Sequence, residues 1–415
     1  MKVDASTILR RCILSGIALA LCFPGTGLAY LVEGDPRTTM FGSSIWRPKP
    51  DWDYDGKRIL GHVGFDIYMW DAQTGGVLQK FVGHQDRIQS VEFSPDGKYV
   101  LSSSGLYEVG DFIPKCGPKD TSTRLWDAEN GKQIWRLEGQ IPARFSSDGK
   151  RLLTFSIIEP CTSGAGISMW DVASGQKIFD AKSEASSAKG GLPVGATGAK
   201  LAFSPDGRTF FCLNGPWAAS LFDAQNGSEI GRMEGVISFN FFGDRGEFAT
   251  VGPRGIEIWS SSAQRIRQIP STGTDSGHEG AWTQDGNHLA EIVWRPKRGS
   301  DHKLDFALQI WNVDSGKIAT QVLHESLDPL INPDNRRFLL WWGGGDVNGQ
   351  NTPLQFSMYE LESGKELWHA QTEAFKVLGF APDGKTFLVG GPKFSVFDSD
   401  SGKSLVTLDL LNMTK

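Results

Sequence analysis

Three glutamates at matching places in the sequence are the side chains best placed to do metal chemistry. Glu279, Glu325 and Glu373 each precede a short apolar segment that opens one of three consecutive repeat units. Carboxylates that converge in this way could hold a divalent cation and activate water, as in a metal-dependent hydrolase or lyase. Histidine partners are missing and acidic residues are common in loops, so this enzyme is the alternative interpretation.

Other sequence patterns that carry catalysis are absent. The chain contains no Gly-x-Ser-x-Gly elbow, no His-Glu-x-x-His segment, no Cys-x-x-Cys pair and no Gly-Lys-Ser/Thr phosphate loop. We therefore expect a non-catalytic protein without a cofactor.

A second group of residues is suited to binding a partner. Four tryptophans fall where strands are expected to end at the rim of the fold, and a basic run follows one of them. Aromatic side chains there could anchor a peptide or stack on a sugar ring, and the basic run could receive an acidic segment or an anionic polymer. Packing of the tryptophans beneath their own loops is the alternative. The group comprises Trp217, Trp294, Arg295, Lys297, Arg298, Trp341 and Trp342.

The elements that position these residues are marked by a repeated turn. In each copy an aromatic or apolar residue is followed, three or four positions later, by Asp-Gly or a related pair. Asp-Gly and Asn tolerate the left-handed conformation, so each copy ends one strand and turns the chain into the next. The eight copies begin at Trp52, Phe93, Phe145, Phe203, Phe242, Trp282, Ile331 and Phe380.

A second signature follows each copy of the first. It is an aromatic residue that closes an alternating apolar and polar run, usually followed by Asp and, four residues later, Gly. Alternation with period two is typical of a strand with one buried face. The eight aromatic positions are Trp70, Trp126, Trp170, Phe222, Trp259, Trp311, Tyr359 and Phe397.

Taken together, one unit is a strand, an Asp-Gly turn, two further strands ending in the aromatic-Asp pair, a Gly turn and a fourth strand. Over about residues 45 to 410 this pattern resembles the WD40 family, and divergent bacterial members are the most apt comparison. The resemblance implies an all-β fold, a β-propeller of four-stranded antiparallel blades. Eight paired signatures predict eight blades; the alternative is seven, because Pro48 and Pro50 interrupt the first unit.

One unit departs least from the family pattern. His84, Ser102, Asp120 and Trp126 stand where family members carry a buried hydrogen-bonded relay. The resemblance therefore implies that these four residues stiffen blade two. Most other units lack the Gly-His pair, so we expect the ring to depend mainly on aromatic packing between sheets.

The same strand order sorts the connections onto two faces. The Asp-Gly and Gly turns share one face and are short, whereas the long and variable connections share the other. Long connections are expected at 104–121, 158–166, 181–198, 270–279, 294–305 and 343–353. Elaboration confined to one face of a repeat array usually marks the binding face, so we expect a scaffold or binding module there.

The N-terminus predicts export. Basic residues precede an apolar run that ends in a small-residue site, so we expect a signal peptide at 1–29, an N-terminal segment at 30–44 that covers the ring seam, and the propeller at 45–415, located in the periplasm or secreted. An oxidising compartment favours a disulfide between Cys116 and Cys161, with Cys212 a buried free thiol. We expect a monomer without membrane insertion after cleavage.

The charge of the chain bears on its partner. A net charge of −6 argues against nucleic acid, which leaves a protein or peptide, or a glycan, as the expected partner.

Overall fold

β-Strands joined by turns make up the computed structural model. It describes residues 51–105, 119–157, 165–181, 200–213, 217–236, 238–242, 246–270, 281–283, 285–296, 304–323, 329–347, 350–374, 376–391 and 394–408. Within these ranges the strands pair into eight four-stranded antiparallel sheets, each made of four consecutive strands. The expected propeller with eight blades is therefore confirmed.

Blades one to four contain the first sixteen strands of the described residues, four in each blade. Blade one has β1 (Asp51–Trp52), β2 (Arg58–Val63), β3 (Asp66–Asp71) and β4 (Val77–Phe81); blade two has β5 (Ile88–Phe93), β6 (Tyr99–Ser104), β7 (Ser122–Asp127) and β8 (Gln133–Glu138). Blade three has β9 (Gln140–Phe145), β10 (Arg151–Ile157), β11 (Ala165–Asp171) and β12 (Lys177–Ala181); blade four has β13 (Lys200–Phe203), β14 (Thr209–Leu213), β15 (Trp217–Asp223) and β16 (Glu229–Val236).

Blades five to eight continue the same order. Blade five has β17 (Ser238–Phe242), β18 (Glu247–Gly252), β19 (Gly255–Trp259) and β20 (Arg265–Ile269); blade six has β21 (Ala281–Trp282), β22 (His288–Pro296), β23 (Leu304–Asn312) and β24 (Lys317–Leu323). Blade seven has β25 (Leu330–Ile331), β26 (Arg337–Val347), β27 (Gln350–Glu360) and β28 (Glu366–Thr372); blade eight has β29 (Lys376–Phe380), β30 (Thr386–Gly390), β31 (Phe394–Asp398) and β32 (Ser404–Leu408).

Central strands are apolar on both sides because both sides of each blade are covered. Successive side chains of a strand point to opposite faces of its sheet. In β6, Val100 packs into the joint with blade one, whereas its neighbour Leu101 packs into the joint with blade three. A blade therefore cannot bury its apolar surface alone, and adjacent blades are needed to cover it.

Eight apolar clusters fill the eight joints between blades, and one of them closes the ring. In that cluster Trp52 and Trp70 of blade one contact Leu388, Phe394 and Val396 of blade eight. Among the strands that the structure describes, none is exchanged between these two sheets, since β1–β4 and β29–β32 each form a four-stranded blade. The first unit is thus a full blade, and the alternative of seven blades is wrong.

Arginine side chains on strand two reinforce several joints. Arg151 of blade three donates to the carbonyl oxygens of Ala224 and Gly207 in blade four, at 2.8 and 2.7 Å. Arg58 reaches the Gly97 carbonyl of blade two at 3.0 Å in the same way. Such bonds satisfy turn carbonyls and fix the rotation of one blade against the next.

The first strand of each blade is the innermost one. First strands of successive blades contact each other, as β1 does with β5 and β5 with β9. In blade five the register pairs Phe241 with Phe248, so Phe241 holds the aromatic position that the sequence pattern gives to Phe242. Phe241 and Phe248 are seven positions apart in the sequence, as are Phe93 and Val100 in blade two, so the connection has the same length in both blades.

The expected signal peptide at 1–29 and the segment at 30–44 lie outside the described residues. Within the ranges that the structure covers, we find no helix with the length and apolarity needed to cross a membrane.

Candidate functional site

The strand order gives the ring two unlike faces. Turns between strands one and two, and between strands three and four, lie on one side, which we call the turn face. Connections between strands two and three, and between blades, lie on the other side, which we call the variable face. Antiparallel pairing within every blade fixes this division.

Short capped turns build the turn face. In blade one, the Asp71 carboxylate accepts hydrogen bonds from the backbone N–H groups of Gln73 and Thr74, at 3.0 and 2.6 Å. The Asp127 carboxylate does the same in blade two. Aspartate occurs at these positions because the turns need a hydrogen-bond acceptor. Much of the negative charge of the chain therefore has a structural role.

Two hairpins project from the variable face. Strands β22 and β23 of blade six have nine residues each, and β26 and β27 of blade seven have eleven, whereas β6 and β7 of blade two have six. Because the hairpins begin at the same level as in other blades, the extra residues of blade seven extend it by about 15 Å. The sequence predicted loops at 294–305 and 343–353; instead much of both segments is paired strand, as far as Pro296 with Leu304 and Val347 with Gln350.

A glycine pair bends the longer hairpin. Gly343 and Gly344 have φ angles of 75° and 76°, which side-chain-bearing residues rarely adopt. A Cβ on Gly343 would lie 2.7 Å from the carbonyl oxygen of Pro353 on the partner strand. Glycine is required there, and the hairpin tip is turned relative to its base.

Two of the predicted partner-binding tryptophans lie on this hairpin, on opposite sides of the sheet. Trp341 packs against the joint between blades seven and eight, with the Lys376 ammonium 5.7 Å from its ring centroid. Trp342 points away from that joint, and its ring lies 5.5 Å from the ring of His369. Both are half-buried, so Trp341 has a packing role in addition to any contact with a partner.

Three further predicted partner residues, Trp217, Trp294 and Arg295, lie on strands that reach the same face. Trp217 opens β15, the third strand of blade four, and so does not end a second strand as expected. Trp294 and Arg295 lie in β22, near the end of the blade six hairpin. Lys297 and Arg298 lie outside the described residues.

The four residues of the expected relay form one hydrogen-bonded chain in blade two. The Trp126 indole N–H donates to Ser102 Oγ at 2.8 Å, and Ser102 Oγ lies 2.7 Å from His84 Nε2. His84 Nδ1 in turn lies 2.9 Å from Asp120 Oδ2. Since Ser102 already accepts from the indole, its hydroxyl proton points to His84 Nε2, and the Nδ1–H donates to Asp120.

Charge in this relay is fixed by its surroundings. Burial lowers the pKa of His84 to about 4, so the ring is neutral at physiological pH. Although burial acts to raise it, hydrogen bonds from Ser122 and His84 lower the pKa of Asp120 to about 2. The Arg124 guanidinium lies 3.0 Å from the same carboxylate and compensates its charge.

The order Ser, His, Asp is also that of a hydrolase triad, but this one is sealed. Ser102 has no solvent-accessible surface, and its oxygen accepts the proton of Trp126. A nucleophile must reach its substrate and be free to attack, and this hydroxyl does neither. The arrangement therefore joins two connections, which hold His84 and Asp120, to strands β6 and β7, and has no catalytic use.

Shorter versions of the relay occur in other blades, and the sequence analysis missed them. Trp170, Trp259 and Trp311 donate their indole protons to Thr154, Thr250 and Glu291 respectively. Each acceptor lies in strand two, two residues beyond the one that pairs with the tryptophan. The sequence carried a signal for these bonds: a residue with a hydroxyl or carboxyl group, two positions after the strand-two residue that pairs with the tryptophan.

Where strand two offers no such acceptor, the aromatic has no indole. Phe222, Tyr359 and Phe397 stand in place of the tryptophan. The corresponding acceptor positions in strand two are held by Cys212, Leu340 and Val389. Blade one is the exception: Gly61 holds the acceptor position, the Trp70 ring lies against it, and the buried Trp70 indole N–H lacks a hydrogen-bond partner.

Of the three glutamates predicted to form a metal site, the structure describes one. Glu373 is exposed and precedes β29, whereas Glu279 and Glu325 lie outside the described residues. Among the residues that are described, no three His, Cys, Asp or Glu side chains lie close enough together to hold a metal ion. Cys116 and Cys161 also fall outside, whereas Cys212 is buried in the joint between blades three and four.

Comparison with known proteins agrees with this architecture. Residues 75–127 match the family model described as WD domain, G-beta repeat. This chain is a β-propeller of eight four-stranded blades, and the matched segment is similar to a WD repeat. The matched segment includes His84, Ser102, Asp120 and Trp126, the blade in which the relay is complete.

Relatives of this propeller are similar to it over part of their length. A segment of 157 residues is 26% identical to the small ribosomal subunit protein RACK1 of Caenorhabditis elegans, covering 37% of this chain and 42% of RACK1. A segment of 72 residues is 33% identical to ribosome assembly protein 4 of Chaetomium thermophilum, covering 17% of this chain and 11% of that protein. The chain thus matches less than half the length of these relatives.

Among solved structures, the computationally designed Ika8 protein is similar over 85% of this chain and 96% of its own, with a TM-score of 0.54 and 13% sequence identity. At that identity the likeness concerns the fold alone.

Proposed function

We propose that this propeller is an exported protein-interaction scaffold that binds its partner on the variable face, between and around the hairpins of blades six and seven. The observation that carries the proposal is the contrast between the faces: the turn face repeats one pattern, whereas two adjacent hairpins extend strands of nine and eleven residues from the other. A rigid ring that elaborates one side in this way is suited to hold a recognition surface in place.

The chemistry of the partner follows from the residues at those hairpins. Trp294 and Trp342 supply large, rigid aromatic groups, and Arg295, Lys297 and Arg298 supply positive charge on an acidic chain. Aromatic anchors beside cations favour a protein segment that carries acidic and apolar residues. We place a glycan second, since the basic run would add less to its recognition.

The relatives support a role in assemblies without fixing the partner. Two of them are named as a ribosomal subunit protein and a ribosome assembly protein. What this chain takes from them is the mode of action: a propeller that holds other proteins and contributes no catalytic group. The partner of an exported propeller would itself lie outside the cytoplasm.

Affinity capture tests this proposal. The mature chain, starting at Tyr30, is immobilised and exposed to extracellular and envelope fractions of the source organism. We expect a retained protein that is lost with Trp342→Ala and with the triple change of Arg295, Lys297 and Arg298 to Glu, because both alter the variable face.

A matched control is available on the opposite face. Tyr54 is 83% exposed in a turn of blade one, so Tyr54→Ala removes an exposed aromatic group from the turn face. Retention that is lost with Tyr54→Ala but unaffected by both hairpin variants would contradict the proposal. Detection of the protein in the cytoplasm with residues 1–29 still attached would contradict export.

A further inference from the structure

The joint between blades eight and one differs from the other seven joints in how the chain connects its two sides. Successive blades are joined covalently, from the fourth strand of one to the first strand of the next. Blade one holds the first described strand and blade eight the last, so their joint has no such connection. Within the described residues, contacts between side chains therefore close the ring.

Two positions in a blade supply side chains that bond to the next blade. The first is the residue that opens strand two, and the donors there, in blades one, three and seven, are Arg58, Arg151 and Arg337. The second is the third residue of strand four, and the donors there, in blades two, five and seven, are Trp135, Arg267 and Trp368. Each of these bonds ties a blade to a turn of its neighbour.

Blade eight has a short side chain at the first position and an apolar one at the second. Thr386 opens its second strand, and Val406 is the third residue of its fourth strand. A threonine is too short to span the joint as arginine does, and Val406 packs against the apolar cluster there. Neither position therefore ties blade eight to blade one by a hydrogen bond.

The opposite side of blade eight is bonded to blade seven. Three side chains of blade seven donate to oxygen atoms of blade eight, at 3.0, 2.6 and 2.8 Å: Trp368, Arg337 and Asn332. Blade eight thus has a hydrogen-bonded joint on one side and an apolar joint on the other.

Apolar packing at the joint with blade one also buries a polar group. Trp70 contacts Phe394 and Val396 of blade eight, and its indole N–H is buried without a hydrogen-bond partner. A buried donor without an acceptor opposes closure, because water would satisfy it in an open joint. The contact that closes the ring is therefore weakened by one of its own members.

We propose that the ring opens reversibly at the joint between blades eight and one, while every blade remains folded. Opening there separates apolar side chains and breaks no strand pairing, since β1–β4 and β29–β32 form two separate sheets. At the other seven joints the chain keeps neighbouring blades together. Local openings of this kind need less free energy than global unfolding.

Thiol labelling under native conditions tests this opening in the mature chain used for affinity capture. Val396 and Val389 both lie in blade eight, but Val396 is buried in the joint with blade one and Val389 in the joint with blade seven. Val396→Cys and Val389→Cys are therefore matched reporters. Cys212, in the joint between blades three and four, reports global unfolding in every variant. Reaction with iodoacetamide is followed by peptide mass mapping, and each rate is divided by the rate in the unfolded chain.

We expect the thiol introduced by Val396→Cys to react at least about tenfold faster than the one introduced by Val389→Cys, because hydrogen bonds hold only the second joint. Adding Thr386→Arg should slow the faster reaction, since arginine at this position reaches the next blade elsewhere in the ring. Equal rates for the two valine variants would overturn the proposal. If both thiols were as slow as Cys212, the ring would open only on global unfolding; if both were faster, blade eight would detach as a whole.

Discussion

Replacing Ser102 with alanine should destabilise the protein far more than the loss of one hydroxyl suggests. Ser102 Oγ accepts from the Trp126 indole at 2.8 Å and bonds His84 Nε2 at 2.7 Å, and it has no exposed surface. The alanine variant leaves both nitrogens buried without a partner. Each such group costs about 1–3 kcal/mol, so we expect a loss of about 2–5 kcal/mol in the free energy of unfolding.

A double-mutant cycle isolates the cause of that loss. Trp126→Phe removes the indole N–H, so in the Ser102→Ala background there is one orphaned donor fewer. Blade four already has such a combination, because Phe222 stands in place of the tryptophan and Cys212 in place of the serine. We therefore expect the effects of the two changes to be non-additive, with a coupling of about 1–2 kcal/mol.

Urea unfolding at pH 7, followed by tryptophan fluorescence and circular dichroism, provides the measurement. The comparison is valid where the dependence on urea has the same slope in all four proteins. A loss below about 0.5 kcal/mol for Ser102→Ala, or strictly additive effects, would refute the relay as a source of stability.

Three further outcomes follow from the structure. Burial raises the pKa of Glu291, so its ionisation opposes folding as the pH rises above the normal carboxyl range. In urea unfolding, Glu291→Gln should therefore stabilise the protein more at pH 8 than at pH 5. An equal effect at the two pH values would contradict this. Arg151→Met loses two hydrogen bonds to blade four and should cost about 1–3 kcal/mol, a prediction that fails if the thermal midpoint is unchanged. Mass mapping without reductant should find Cys116 joined to Cys161, and two free thiols would rule this out.

The repeat pattern was sufficient to predict the architecture, because each unit carries its own signal. An aromatic or apolar residue before Asp-Gly or a related pair marks the end of strand one, and an aromatic residue that usually precedes Asp marks the end of strand three. Eight of each could be counted. The two prolines near the first unit suggested an irregular blade, yet β1–β4 pair completely from Asp51 onward. Local sequence is informative here because a blade is made of consecutive strands.

Features that depend on contacts between blades could not be predicted in the same way. The run Gly343-Gly344-Gly345 favours a loop by composition, but pairing with the opposite strand extends the blade seven hairpin through it. Asp51 and Glu92 look like ordinary surface acids until the ring brings each against the next inner strand. Of the predicted partner residues, the structure places Trp217, Trp294, Arg295, Trp341 and Trp342 on strands that reach the variable face.

Closure of the ring between blades eight and one is the claim on which the two faces depend, and a designed cross-link tests it. A Cβ built on Gly56 lies 3.7 Å from the Cβ of Ala381, a separation typical of disulfides. We expect Gly56→Cys with Ala381→Cys to form a disulfide under mild oxidation, identified by mass mapping, whereas Gly56→Cys with Gly207→Cys of blade four stays reduced. If the 56–381 pair remains fully open to alkylation under the same conditions, the ring is not closed at this joint and the assignment of the faces is wrong.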